Sequence, residues 1–150
     1  MQRILVSLAL LFMASAAVAA APADSGPAIK AANSWLALVD AGSYAESWKQ
    51  ASPLFQQQMT EPEWAKIIAK ARRPMGKMLK RSTPTAQYTP ENPDSPGRQF
   101  WLIQYIADFQ HQPGLVERVT LMPTASGWQV VGYRILTNTD TDTDTDTDTD

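Results

Sequence analysis

The spacing of apolar residues changes once along this chain, near Gly76, and that change dictates the fold class. Before it, apolar side chains recur every three or four residues, which gathers them on one helix face; after it they alternate, which sends them to the two faces of a strand. Residues 27–40 carry Ile29, Ala32, Trp35, Leu36 and Val39 on one stripe, and Ala41-Gly42 ends that helix. Ser43 and Glu46 spell a capping box for a second helix. It places Tyr44, Trp48, Ala51, Phe55 and Met59 on its apolar side, with Pro53 as a break or kink. Thr60 and Glu63 repeat the box for a third helix, which turns Trp64, Ile67, Ile68 and Ala71 inward until Pro74 and Gly76 stop it.

Beyond Gly76, residues 77–88 supply one strand interrupted at Pro84, and residues 89–97 (TPENPDSPG) form a turn-rich loop. Three clearer strands follow over residues 98–109, 115–122 and 128–136, joined by two natural hairpin loops. Three helices followed by a meander of about four strands imply an α+β domain with the helices on one face of a curved antiparallel sheet. Pairing the hairpins symmetrically about their loops puts Trp101, Ile103, Tyr105, Ala107, Phe109, Leu115, Glu117, Val119, Leu121, Gln129, Val131, Tyr133 and Ile135 on the core face. Phe100, Leu102, Met122, Trp128 and Val130 then share the opposite face with Asp108, Arg118 and Arg134. A slip of one residue would exchange the faces.

The two ends of the chain have different tasks. Arg3 precedes an apolar run over residues 4–13 and a small-residue run over 14–21, the pattern of a cleavable secretory leader of residues 1–20, cut near Ala20. The apolar run is about half the ~20 residues a transmembrane helix needs. Export to the periplasm or beyond is the expectation. The chain has no cysteine, so disulfides contribute nothing and stability rests on a packed core of the single domain 21–136. Residues 137–150 read TNTDTDTDTDTDTD, without one apolar side chain, and are expected to stay disordered. Six of the fifteen acids sit in that tail, so between positions 21 and 136 twelve bases face nine acids. The body is mildly basic although the whole chain has a net charge of −2.

These elements and several words within them resemble a known family. Ser47-Trp48, Ser52, Phe55, Trp64, Pro74-Met75-Gly76, Arg81, Gln104-Tyr105, Phe109, Glu117-Arg118-Val119-Thr120 and the closing Trp128-Gln129-Val130-Val131-Gly132-Tyr133 look like the domain of unknown function 4019 family. The likeness runs from about residue 32 to residue 135. It implies an exported bacterial protein with a cone-shaped fold related to the nuclear transport factor 2-like and cystatin-like folds. It implies no activity.

Few residues invite chemistry. His111 is the single histidine and sits in the Gln-His-Gln-Pro-Gly turn, where a solvated role is expected; one His and no Cys argue against a zinc site. No glycine loop suited to phosphate occurs, and no cofactor or metal is expected. Glu117 stands out as the one acid on the apolar sheet face, opposite Tyr133 and near Tyr105. Such a carboxylate must find a partner, for which Arg81 is the natural candidate, or else act as an acid or base with a raised pKa. Arg81, Tyr105, Glu117 and Tyr133 are therefore the candidate anchors for a small apolar or amphipathic ligand, in a non-catalytic binding or accessory module of the bacterial envelope. An isomerase or dehydratase using Glu117 is the enzymatic alternative. Dimerisation through Phe100, Leu102, Met122, Trp128 and Val130 is the structural one. Lys66, Lys70 and Arg73 share a helix face suited to an anionic envelope surface, and export excludes nucleic acid as a partner.

Overall fold

The computed structural model describes residues 24–90 and 98–136; the expected leader, most of the loop at 89–97 and the Thr-Asp repeat lie outside the described residues. Four helices come first: α1 (Gly26–Asp40), α2 (Tyr44–Gln50), α3 (Pro53–Gln58) and α4 (Glu61–Arg72). Five strands follow: β1 (Met78–Arg81), β2 (Thr85–Thr89), β3 (Phe100–Phe109), β4 (Leu115–Thr124) and β5 (Gly127–Leu136). The fold is α+β, with the helices packed on an antiparallel sheet, as the periodicity requires. The sheet does not close on itself. No described helix is long and apolar enough to cross a membrane.

Both extra elements arise at prolines. Pro53 starts a new helix rather than kinking the old one: it occupies the first turn of α3, where its missing N–H costs nothing. The Ser52 hydroxyl accepts the Phe55 N–H at 3.2 Å and caps that turn. Pro84 splits residues 77–88 into β1 and β2, both of which pair with β3, β1 near its C-terminal end and β2 near its N-terminal end. Of the two expected capping boxes one forms. Glu63 accepts from the Thr60 N–H at 2.8 Å and from its hydroxyl at 2.7 Å. Ser43 makes no side-chain cap, and Glu46 accepts from Gln50 instead.

The core lies between helices and sheet. Trp35, Phe55 and Trp64 pack edge to face or tilted against one another, and Tyr133 joins Trp35 at 5.3 Å and Trp64 at 6.2 Å between ring centroids. Ser47, fully buried, ties three helices together: its carbonyl accepts the Trp35 indole N–H at 2.8 Å and its hydroxyl accepts that of Trp64 at 2.9 Å. On α4 the buried stripe is Trp64, Ile68 and Arg72, whereas Ile67 is 53% exposed and Ala71 faces solvent. The expectation that Ile67 and Ala71 point inward is thus corrected, because a strict four-residue step fits this helix better than alternate steps of three and four.

The β3–β4 register follows the expected alternation, pairing Ile103 with Val119 and Tyr105 with Glu117. The β4–β5 register does not. Leu121 pairs with Val130 and Thr120 with Gly132, so Val131 is an extra residue, a β-bulge that shifts the face of everything on one side of it. Tyr133 therefore pairs with Val119, and Glu117 pairs with Ile135 rather than Tyr133. Val130 is buried in the core beside Leu121, and Trp128 packs against the same cluster. The bulge thus removes both from the proposed sheet-face patch, which retains Phe100, Leu102 and Met122.

The α4 assignment predicts a contrast between neighbours. Ile68→Ala should cost about 2–5 kcal/mol, the usual cost of emptying a packed site. Ile67→Ala should stay within about 0.5 kcal/mol. Urea midpoints of the two variants check this, and a larger loss for Ile67→Ala would contradict the stripe.

Candidate functional site

The core face of the sheet is not apolar throughout. A first cluster gathers Trp101, Ile103, Val119 and Leu121 under the helices, and a second gathers Ala107, Phe109 and Leu115 with Met75, Met78 and Ile135. Glu117 lies on β4 between Leu115 of one cluster and Val119 of the other, with no exposed surface. Four charged side chains and one tyrosine converge on this seam.

Each arrives for a local reason. Asp40 is the last residue of α1, where a negative charge opposes the helix dipole and calls for cations. Arg72 ends α4, where a positive charge suits the dipole, and the buried stripe turns it inward. Arg81 ends β1, paired with Ala107 on the core face of β3. Arg81 holds Glu117 through Nε to Oε2 at 2.5 Å and Nη2 to Oε1 at 3.1 Å. The same guanidinium holds Asp40 through Nη1 to Oδ2 at 2.5 Å and Nη2 to Oδ1 at 2.9 Å. Arg72 donates to Asp40 at 2.6 Å, stands 3.7 Å from Glu117, and lies over the Phe109 ring at 4.8 Å. The Tyr133 hydroxyl donates to Glu117 Oε1 at 2.5 Å.

Two acids and two arginines leave the cluster neutral, and every Glu117 oxygen already has a donor. Burial tends to raise the Asp40 pKa, but hydrogen bonds and charge from Arg81 and Arg72 outweigh it and hold the carboxyl below its ordinary 3.8. Tyr133 is pushed well above its ordinary value, first by burial and then by the Glu117 charge, so it remains a donor. Burial also pushes Tyr105 up to about 12. Its hydroxyl donates to Asn33 of α1 at 2.7 Å rather than to Glu117.

Of the four expected anchors, the structure brings Arg81, Glu117 and Tyr133 together and turns Tyr105 away to Asn33. Asp40 and Arg72 were missed by the sequence reading, although Arg72 sits one four-residue step past Ile68. An open cleft of about 540 Å³ flanks the cluster, with Val39, Asp40, Tyr44, Arg72, Lys77 and Met78 among its walls. Lys66, Lys70 and Arg73 are exposed. His111 is exposed too, on a hairpin loop whose N–H donates to the Met75 carbonyl at 2.9 Å. That loop packs so closely that a Cβ on Gly76, which has φ +75°, would meet the His111 ring at 2.8 Å. Asp108, Arg118 and Arg134, expected to share the outer face, form no ion pair with one another: Asp108 accepts the Gly114 N–H and Arg118 donates to Gln104. Among the described residues no three His, Asp or Glu side chains gather as metal ligands.

The family described as Protein of unknown function (DUF4019) matches residues 31–133. No curated protein and no solved structure matches the chain.

The network sets how stability responds to mutation and pH. Glu117→Ala leaves Arg81 and Arg72 facing a buried gap and should cost about 3–5 kcal/mol. Asp40, with a depressed pKa, contributes stability that is present above pH 3.8 and lost as pH falls through its lower folded value. Tyr105, with a raised pKa, contributes stability that is whole below pH 10.0 and lost as pH rises toward about 12. Urea midpoints measured across both limits should fall at each end, and Asp40→Asn should flatten the acid limb.

Proposed function

Since this chain belongs to the DUF4019 family of proteins of unknown function, its activity has to be argued from its own side chains, and we propose that it is a non-catalytic binding module of the bacterial envelope. One observation carries this reading. The acid best placed for chemistry, Glu117, has no exposed surface and both its oxygens are held by Arg81 and Tyr133. A general acid or base must reach a substrate proton within hydrogen-bond distance, and a carboxylate buried and held in this way leaves substrate no path to it. The cluster is a clamp between helices and sheet, and binding falls to the surface clefts around it.

Export enters the proposal through the leader pattern of residues 1–20, followed by a cysteine-free body. A small apolar or amphipathic ligand is the partner that suits open clefts with mixed apolar and charged walls. The exposed Lys66, Lys70 and Arg73 support a looser attraction to anionic envelope surfaces. Dimerisation through the outer sheet face has less to stand on, with Trp128 and Val130 packed on the helical side.

Native mass spectrometry of protein released gently from its own envelope tests the proposal. A stoichiometric adduct of small mass is the expected result, carried equally by a Glu117→Gln variant that still folds. Protein that emerges empty in every gentle preparation would overturn it.

A further inference from the structure

Arg118 on β4 and Arg134 on β5 are direct cross-strand partners on the outer sheet face. Side chains so placed have Cβ atoms about 5 Å apart, and like charges there repel. Among the described residues neither arginine makes a salt bridge. Gln104 accepts from Arg118 Nε at 2.9 Å, which positions that guanidinium without using its terminal nitrogens. Two arginines at directly opposed positions, with no carboxylate paired to either among the described residues, make a site that an anion would relieve.

They stand at the edge of a groove of about 500 Å³, whose apolar walls include Met59, Trp64, Ile67 and Leu102. Ile67 is 53% exposed, one of three large apolar side chains so exposed among the described residues. Gly132, in the middle of β5, also lines the groove. Glycine weakens a strand and needs a reason there. Its φ is not positive, and a Cβ at this position would meet only Thr120, at 3.7 Å, an ordinary contact. Neither backbone conformation nor packing thus demands glycine at this position, and its missing side chain leaves the groove open to a ligand lying close against the strand. The bulge at Val131 next to it re-aims the strand, a device common beside binding sites.

We infer that this groove binds a single-chain amphipathic anion, its carboxylate held between Arg118 and Arg134 and its hydrocarbon chain laid along Met59, Ile67 and Leu102. The inference rests on the binding-module reading and supplies its ligand class. The volume lies in the range of sites for small ligands, which favours one acyl chain over a two-chain lipid.

Decanoate titrated into the ¹⁵N-labelled full chain is the test, with decanol and acetate as tail-only and head-only controls. Decanoate should give saturable shifts centred on Gly132, Arg118 and Arg134, and each control should bind more weakly by about tenfold or more. Arg118→Gln with Arg134→Gln should weaken decanoate binding by a similar factor. Gly132→Ala, whose Cβ would meet Thr120 only at ordinary contact distance, should weaken it while the rest of the spectrum stays folded. Equal binding by the double variant, shifts centred on the cleft at Asp40 and Arg72, or no decanoate binding would each overturn the inference. So would shifts at Arg134 that vanish when residues 137–150 are removed and do not respond to decanoate, since the pair would then serve the acidic tail. A co-purified adduct in native mass spectra together with no decanoate binding would sink this ligand and leave the binding module standing.

Discussion

The Arg81–Glu117 pair is the contact on which the rest of this structure depends. Through one guanidinium it joins the end of α1, the end of β1 and the middle of β4, and Tyr133 and Arg72 extend the same junction to β5 and α4. Five of the nine described elements thus place a residue in this one hydrogen-bonded cluster. The apolar clusters on either side could slide relative to each other if only dispersion held them, because hydrophobic contact is non-directional. A bidentate arginine between two carboxylates has one geometry.

This fixity comes with an energetic cost. Burying four charges is expensive, and replacing such a group with well-packed apolar residues is often neutral or stabilising in other proteins. What limits the cost here is pairing: charges cancel, the C-terminal dipole of α4 favours Arg72, and the aromatic face of Phe109 covers its guanidinium. Arg72 Nε is the one cluster nitrogen left buried without a partner among the described residues. The same pairing that limits the cost also occupies both Glu117 oxygens.

How much of this was legible in the residues depends on the range of the interaction concerned. Helix and strand existence follows from local periodicity, and both were readable because Gly76 marks one clean change of repeat. Glu117 was legible as a site because an acid among alternating apolar residues violates the pattern, Arg81 as the cation of the first strand, and Tyr133 by its face of the sheet although not by its register, which the bulge changes. Asp40 was not, since a charged residue at a helix end looks like any solvated terminus. Arg72 was hidden for a related reason: in a run rich in lysine and arginine, nothing but the four-residue step from Trp64 and Ile68 distinguishes the buried cation from the exposed ones. The bulge at Val131 was illegible because β-bulges depend on how two strands twist together. Its effect was large, since one inserted residue exchanged the faces of Trp128 and Val130.

Edge protection offers a competing account of β5, and the particulars separate the two. An outermost strand must avoid pairing with a second molecule, and a bulge or a charged side chain serves that purpose. β5 is the last strand of the described sheet, so the bulge at Val131 and the charge of Arg134 are what edge protection requires. It does not require Arg118, which sits one strand inward, nor the absence of a side chain at Gly132. A lysine or glutamate opposite a neutral residue would guard the edge without repulsion. Placing two arginines at opposed positions on neighbouring strands, beside a glycine and apolar walls that water would otherwise wet, is costly as a guard and suits a charged head with an apolar tail.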